Sequence, residues 1–255
     1  ETVYYQGVNK DRKGGFESTK KLREFHNHIK HELIRIATHL TKQVTDKCIL
    51  IDYAVGRGGD MYKWINNKID FVYGIDISHD NLFNVPNGAY VRYIKDVKDN
   101  YKEGGVTKVL YLNANSGKDL MDENNFDNNM FMYQKAILGM GPKDKKTIGK
   151  GIEKMYGVAS KLFDISSIQF ALHYMFSDVI TLHTFIKNVY SFTKIGGYFI
   201  GTCFDGKKVF DFIYNEHNNT EQEIIINDDN GNKITSIQKK YEFKGTTIPD
   251  DDTCI

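Results

Sequence analysis

The sequence has few cysteines, no long apolar run and almost no excess of one charge, and each of these features excludes a class of protein. The three cysteines, Cys48, Cys203 and Cys254, are far apart and odd in number, so they form no zinc pattern or disulfide framework and indicate a reducing compartment. Since no run approaches the roughly 20 apolar residues of a membrane span and no signal peptide precedes the chain, we expect no membrane association. The formal net charge of +1 excludes a broad basic surface, so any contact with nucleic acid should be local.

The composition that remains is typical of a globular α/β domain. Hydrophobic residues make up 40% of the 255 residues and aromatic residues 13%, which is enough for one domain with a full core that is rich in strand formers. The chain begins at Glu1 rather than at a methionine, and it stops before the last strands that such a fold usually needs. We therefore expect a fragment of a longer protein, truncated at its C-terminus.

A glycine-rich turn between residues 48 and 60 organises the chain. The apolar run Cys48 to Ile51 predicts a buried strand of a parallel sheet, which Asp52 closes. Three glycines, the first of them Gly56, follow within four positions and allow backbone angles that a side chain would forbid, so the chain can pass close to a ligand. A helix opens behind the turn. Strand, turn and helix together predict a nucleotide-type binding element.

A second acidic strand end favours a cationic ligand. Residues 70–76 predict the next strand, ending at Asp76, twenty positions after Gly56 and near the offset at which a carboxylate meets a ribose in Rossmann-like units. The pattern Gly-x-Gly-x-x-Gly is missing after Asp52, which argues against a nicotinamide dehydrogenase. Acidic strand ends suit S-adenosylmethionine, which has a sulfonium and an ammonium group, better than a pyrophosphate. A glycine turn without a ligand is the remaining alternative.

The rest of the pattern predicts a Rossmann-like α/β domain over 18–255, with a mainly parallel central sheet and flanking helices. We expect a flexible arm over 1–17, a polar surface insertion over 118–160, a turn at Gly196 and Gly197, and a β-hairpin over 221–243. Residues 161–170 predict a central strand, which places His173 and Tyr174 after its carboxyl end, where substrates lie in such sheets. A helix start that packs this aromatic pair into the core is the alternative.

Five segments keep one order along residues 22–202. They are Leu22–Lys30, Gly56–Asp60 with the Lys63-Trp64 that follows, Gly74–Ser78, Phe163–Tyr174 and Gly196–Thr202. Together they resemble the mRNA cap (guanine-N7) methyltransferase domain, in particular the form fused within the capping enzymes of large DNA viruses. The Gln-Phe-x-x-His-Tyr and Gly-Gly-Tyr-Phe-Ile-Gly-Thr pieces discriminate, whereas the glycine-rich turn alone would fit many methyltransferases. The fold implied is that of class I S-adenosylmethionine-dependent methyltransferases.

The resemblance implies roles for individual residues. Nine of them match positions that surround S-adenosylmethionine in the family: Lys30, Asp52, Gly56, Asp60, Asp76, Ile77, Asn115, Ser116 and Gln169. Lys30 would help to bind the methionine carboxylate, and Ile77 would lie against the adenine. His173 and Tyr174 match the residues that hold the cap guanine, and His26 with Asn27 falls near the cap ribose.

The sequence also departs from the family pattern. The family's loop usually begins Asp-x-Gly-Cys-Gly, whereas Ala54 and Val55 stand here in place of the Gly-Cys pair. Because alanine is small, we expect cofactor binding to survive this change. Asn115 stands where the family usually has an aspartate, and it keeps an acceptor for the adenine amino group.

The reaction implied by the resemblance converts GpppN-RNA to m7GpppN-RNA and yields S-adenosylhomocysteine. Guanine N7 has a free lone pair and no proton, so we expect no residue to act as acid or base and no metal. The expected partners are the capped 5′ end of RNA, covalently linked triphosphatase and guanylyltransferase domains, and a regulatory subunit, in the cytoplasm, in a viral factory or virion. A non-catalytic scaffold domain of a capping enzyme, and a methyltransferase for another RNA atom or a small molecule, are the alternatives.

Overall fold

The computed structural model describes residues 20–100, 107–127, 129–213 and 223–238. The chain divides into two units. The larger is Ile29–Cys203, and the smaller combines Glu1–His28 with Phe204–Ile255. The predicted arm over 1–17 lies outside the described residues.

The larger unit is built on a parallel sheet, five-stranded as far as the structure describes it. Its strands are β1 (Ile49–Asp52), β2 (Phe71–Asp76), β3 (Lys108–Asn113), β4 (Phe163–Gln169) and β5 (Thr193–Thr202). Their order is β3-β2-β1-β4-β5, and every neighbouring pair is parallel. The strand order reverses between β1 and β4, and ligands bind outside the carboxyl ends of the strands at such a switch point. The predicted Rossmann-like fold is confirmed.

Helices connect the strands and cover both faces of the sheet. They are α1 (Lys20–Lys42), α2 (Met61–Asn66), α3 (His79–Phe83), α4 (Ala89–Asn100), α5 (Met130–Ile137), α6 (Lys145–Glu153) and α7 (Val179–Phe192). α3 begins after Ser78, whose side chain caps the helix by accepting from the Asn81 N–H. No helix in the described ranges is long and apolar enough to cross a membrane.

Alternate strand residues belong to different cores, as the pleat of a β-strand requires. Ile49 and Ile51 pack in the core that α5 and α7 cover, whereas Leu50 packs in the core that α1 and α2 cover. Since helices lie on both faces, β1, β2 and β4 are buried along their whole length. This burial explains why β1 and β2 appear in the sequence as nearly continuous apolar runs, whereas β4 is buried although Asp164, Ser166 and Ser167 interrupt its apolar residues.

The segment 118–160 is not a surface insertion throughout, and the sequence-based interpretation is corrected here. It contains α5 and α6, and Leu120 and Ile137 are fully buried in the core. Gln134, also fully buried, accepts from the Tyr73 hydroxyl at 2.7 Å and donates to the Leu120 carbonyl oxygen at 2.5 Å. The polar composition of this segment gave the wrong prediction because the sequence does not distinguish a buried amide with satisfied hydrogen bonds from an exposed amide in a loop.

The predicted turn at Gly196 and Gly197 is an irregularity inside β5 instead. The strand runs continuously from Thr193 to Thr202, and its register with β4 shifts opposite Asp164, between the Phe163 and Ile165 pairs. Gly196 has φ of 80°, as a glycine in a bulge commonly does. A Gly-Gly pair fits a bulge and a turn equally well, so the sequence alone does not separate them.

The smaller unit contains α8 (Gly206–Asp211) and a hairpin of β6 (Glu223–Asn227) and β7 (Lys233–Gln238), which pair antiparallel. The hairpin lies within the stretch predicted for it. Phe210, Ile213 and Ile224 form a small separate core in this unit.

Candidate active site

Two carboxylates lie at the carboxyl edge of the sheet. Asp52 ends β1 and Asp76 ends β2, and both are buried. The turn after β1 folds back so that the Gly56 N–H donates to Asp76 Oδ2 at 2.7 Å. Gly56 has φ of 55°, which L side chains rarely adopt, and an added Cβ would meet no atom within 4 Å. The glycine is therefore required by the backbone conformation rather than by crowding.

Asp76 holds the neighbouring loop together. Its Oδ2 accepts from Gly56, and its other oxygen, Oδ1, accepts from the Ser78 N–H at 2.9 Å and from Asn81 Nδ2 at 3.1 Å. A carboxylate offers about four acceptor positions, so roughly one remains for a ligand in this conformation. On β3, Asn113 Nδ2 donates to the Asp76 carbonyl oxygen at 2.8 Å and fixes the end of β2. Sequence analysis did not single out Asn113.

A buried cluster of opposite charges lies behind the turn. Lys30 Nζ of α1 and Lys63 Nζ of α2 contact the same oxygen, Asp60 Oδ1, at 2.7 and 2.8 Å. The side chain of Lys30 is 15% exposed, and those of Lys63 and Asp60 about 10%. Sequence analysis named Lys30 and Asp60 but missed Lys63 as a site residue. Its position three residues after an acidic residue at a helix start was an available signal.

Asp52 is the most strongly perturbed of these carboxyl groups. Burial raises its pKa from the ordinary 3.8 to about 7, and the Asp60 carboxylate adds to the rise. Two groups lower the pKa in turn, the Lys30 ammonium and the Ala54 N–H, which donates to Asp52 Oδ1 at 3.0 Å. The structure therefore brings Asp52, Asp60, Asp76 and Lys30 into one electrostatic neighbourhood. A buried acid with a strongly shifted pKa in a crevice is a typical mark of a functional site.

The residues expected around an adenine differ in how they are used. Ile77, directly after β2, is 56% exposed, which leaves an apolar surface open at the sheet edge. Asn115 Oδ1 accepts from the Gly117 N–H at 2.8 Å. Ser116 is buried, and its hydroxyl donates to the Tyr53 carbonyl oxygen at 2.6 Å. In this structure Ser116 supports the loop after β1.

Gln169 ends β4 and is joined to both neighbouring segments. Its Nε2 donates to Ser167 Oγ at 3.1 Å, and its Oε1 accepts from the Thr202 hydroxyl at 3.0 Å. Thr202 is the register partner of Gln169 on β5. Sequence analysis predicted Gln169 but gave Thr202 no role.

His173 and Tyr174 lie on a 3-10 turn, Leu172–Phe176, that follows β4. Their ring centroids are 4.2 Å apart, and Tyr174 is 48% exposed. Burial lowers the pKa of His173 below its ordinary value, so its imidazole is neutral at neutral pH. The alternative in which this pair packs into the core does not hold for Tyr174.

His26 and Asn27 lie on α1 within the smaller unit, and the rings of Phe25 and His26 are 6.1 Å apart. Their expected role near a cap ribose stays a prediction.

The opposite edge of the sheet carries a groove of about 1000 Å³ at the amino ends of the strands. Six lysines and four aspartates line it. Asp164 in this groove forms an ion pair with Lys194. The lysines therefore exceed the aspartates by two in this groove. In the described ranges, no group of three His, Cys, Asp or Glu side chains could hold a metal ion.

A doubly wound sheet with a glycine-rich turn and acidic ends on β1 and β2 defines a Rossmann-like methyltransferase fold. The chain belongs to the mRNA (guanine-N(7))-methyltransferase domain family, whose sequence model matches residues 5–247. The resemblance seen in the sequence is thereby confirmed.

Three relatives illustrate this membership. A protein of Acanthamoeba polyphaga mimivirus named probable mRNA-capping enzyme is 30% identical over 74% of this chain and 14% of its own length. The mRNA cap guanine-N(7) methyltransferase of Lodderomyces elongisporus is 30% identical over 83% of this chain and 32% of its own length. The mRNA cap guanine-N(7) methyltransferase 1 of Oryza sativa is 26% identical over 74% and 40%. The chain thus spans less than half the length of these relatives.

Proposed function

We propose that this domain transfers a methyl group from S-adenosylmethionine to N7 of the guanine cap of RNA. The observation that carries the proposal is the cluster of buried charged side chains at the carboxyl ends of β1 and β2, in a chain of the guanine-N7 methyltransferase family. Different residues would hold the cofactor and the acceptor.

The charges of this cluster of side chains suit S-adenosylmethionine. Three carboxylates, from Asp52, Asp60 and Asp76, are set against two ammonium groups, from Lys30 and Lys63, which leaves one negative charge when all are ionised. S-adenosylmethionine has one net positive charge, because its sulfonium and ammonium outweigh its carboxylate. A cationic ligand would therefore favour the ionised form of Asp52, which burial alone disfavours.

Individual contacts follow from the same chemistry. The two lysines share one acceptor oxygen, so either can turn a donor toward the methionine carboxylate. Asp76 has room for about one ribose hydroxyl unless Gly56 or Asn81 gives way. Ile77 offers the apolar surface against which an adenine would stack.

On the acceptor side, His173 and Tyr174 would hold the guanine. Tyr174 presents a half-exposed ring for stacking, which is worth about 1–3 kcal/mol per base in single-stranded recognition. The guanine gains a positive charge when N7 is methylated, and a neutral His173 does not repel it. His26 and Asn27 are proposed to contact the cap ribose.

The chemistry needs alignment rather than a proton transfer. When bound, S-adenosylmethionine would supply a methyl group on a cationic sulfur, which requires no further activation. N7 has a lone pair and no proton, so the chain need only hold the reacting atoms about 3 Å apart and in line. Such positioning can supply about 7–11 kcal/mol of the barrier.

We also propose that the domain belongs to a longer capping enzyme with triphosphatase and guanylyltransferase activities, in the cytoplasm, and that a regulatory subunit binds it. The support is the mimivirus relative, named probable mRNA-capping enzyme, of which this chain spans 14%.

Transfer of labelled methyl groups to three RNAs tests the proposal. The RNAs begin with GpppA, with m7GpppA or with an uncapped triphosphate. Label on the first alone is the expected result. Label on the methylated cap as well would mean that the acceptor is another atom. If no RNA is labelled by this domain or by a longer chain that contains it, although S-adenosylhomocysteine binds, a scaffold role replaces the catalytic one.

A further inference from the structure

One hydroxyl group connects the residue proposed for the cofactor with the segment proposed for the guanine. Thr202 Oγ1 at the end of β5 lies 3.0 Å from Gln169 Oε1 and 3.1 Å from the Phe170 backbone nitrogen. Gln169 and Phe170 are consecutive. The first ends β4, and the second leads into the 3-10 turn with His173 and Tyr174.

The hydrogen-bonding roles at this hydroxyl follow from chemistry. The Phe170 N–H can only donate, so Thr202 Oγ1 accepts there and points its own hydrogen at Gln169. The Gln169 atom that faces Thr202 must therefore be the amide oxygen, and the amide nitrogen faces Ser167 Oγ at 3.1 Å. That nitrogen has two hydrogens. In the described part of the chain the second has no acceptor within hydrogen-bond distance, so it is available to a ligand.

Phe170 has an unusual backbone conformation at this point. Its φ is 55°, in the left-handed region that costs a residue with a side chain about 1–2 kcal/mol. Two acceptors on Thr202 hold its N–H, the carbonyl oxygen at 2.9 Å and the hydroxyl at 3.1 Å. Such strain persists where the surroundings impose it, and the direction in which the chain leaves β4 determines where His173 and Tyr174 lie.

We propose that Thr202 is a positioning residue that sets the Gln169 amide for the cofactor and the Phe170 turn for the acceptor guanine. This inference rests on the proposed function of the same site and extends it to a residue that touches neither ligand. Without the hydroxyl, the Gln169 amide loses its donor from Thr202, and the Phe170 N–H loses one of its two acceptors on Thr202.

Thr202→Val tests the proposal, because valine keeps the branched shape of the side chain and removes only the hydroxyl. The Phe170 N–H retains the carbonyl acceptor, so the variant should fold, with a melting temperature within a few degrees of the original. We expect about tenfold weaker binding of both S-adenosylhomocysteine and GpppA, measured by calorimetry. Thr202→Ser restores the hydroxyl and should bind both ligands within about twofold of the original chain.

The controls separate positioning from a structural role. A merely structural Thr202 would lower the melting temperature of the valine variant and leave both affinities of the folded protein unchanged. The inference is overturned if either affinity survives in the valine variant, or if the serine variant is equally impaired. These are binding measurements, so they do not require methyl transfer. If the original chain binds both ligands but transfers no methyl group, the proposed function fails and the role of Thr202 can still be measured.

Discussion

Asp52 is a carboxyl group whose ionisation opposes folding. Its pKa is about 7 in the folded chain and 3.8 ordinarily, so between these pH values the unfolded chain has released a proton that the folded chain retains. Stability in the absence of ligand therefore falls as the pH rises from about 4 to about 7 and is constant above that range. The loss amounts to at most about 4 kcal/mol, at about 1.4 kcal/mol per pKa unit.

Asp52→Asn should accordingly stabilise the ligand-free protein, and more at pH 8 than at pH 5. Asparagine carries no charge and keeps an oxygen for the Ala54 N–H. Urea unfolding at both pH values measures the difference, with the exposed Asp46→Asn as control. The same variant should bind S-adenosylmethionine less tightly, because a negative charge facing a cationic ligand is lost. An equal gain at the two pH values would contradict the shifted pKa of Asp52.

Tyr174→Ala should reduce methylation of capped RNA by roughly tenfold to a hundredfold in kcat/KM, as expected from the loss of about 1–3 kcal/mol of base stacking. Affinity for S-adenosylhomocysteine should stay near the original value. Tyr190→Ala is a matched control, since Tyr190 is 83% exposed on α7 and has no proposed role. Intact turnover in the Tyr174 variant would show that the guanine lies elsewhere.

At the residue scale, the sequence predicts what local position determines and misses what depends on contacts across the fold. Asp52 and Asp76 were predictable because each ends a strand whose apolar run is visible. Gln169 was assigned by the family resemblance instead, since the strand that it ends, β4, is largely polar. Thr202 was not assigned, because its hydrogen-bond partner Gln169 is 33 residues away in the sequence. Lys63 was not assigned although its ion-pair partner Asp60 is three residues away, because the sequence does not show that Lys30, 33 residues away, contacts the same oxygen. Such contacts between residues far apart in the sequence become visible only when the strands and helices are assembled.

At the scale of single elements, the end of α2 stores avoidable strain. The Ile69 N–H donates to the Trp64 carbonyl oxygen and the Lys68 N–H to the Ile65 carbonyl oxygen, which is a Schellman motif with Lys68 at the left-handed position. Lys68 has φ of 54°, where glycine is favoured. Lys42 Nζ adds a hydrogen bond to the Lys68 carbonyl oxygen at 2.6 Å, which does not depend on the side chain at position 68.

Lys68→Gly should therefore stabilise the chain by about 1 kcal/mol, since it relieves the left-handed strain. The two backbone hydrogen bonds of the Schellman motif and the bond from Lys42 Nζ to the carbonyl oxygen of residue 68 are all kept. Chemical denaturation measures the change. Lys68→Ala is the matched control, because it removes the same amine and retains the strain. If the two variants are equally stable, the conformation at position 68 costs nothing, and this account of the helix end is wrong.

The elements themselves were predicted well where one period dominates. β2 has a strong apolar pattern, and both β2 and β4 lie within two residues of their predicted limits. The segment 118–160 was misjudged because α5 places Gln134 inside the core, paired with the Tyr73 hydroxyl. The hydrophobic pattern predicts that such a glutamine is exposed, whereas its hydrogen bond to another part of the fold offsets the cost of burying the amide.

At the scale of the whole molecule, 34 basic and 33 acidic residues leave almost no net field to attract a polyanion. In the larger unit, the groove at the amino edge of the sheet has six lysines and four aspartates, an excess of only two positive charges. Recognition of RNA should therefore depend on the cap itself rather than on the length of chain that follows it.

Two measurements test this dependence. The KM of methylation for a GpppA dinucleotide should lie within about tenfold of that for a capped RNA of roughly 20 nucleotides, because few phosphates beyond the cap are neutralised. Affinity for the capped RNA should fall with salt at a logarithmic slope no steeper than about −2, which corresponds to about three phosphate contacts at −0.7 each. An uncapped RNA of the same length is the control and should bind too weakly to compete. A slope near −5 or steeper would contradict this expectation, because it would require about seven phosphate contacts.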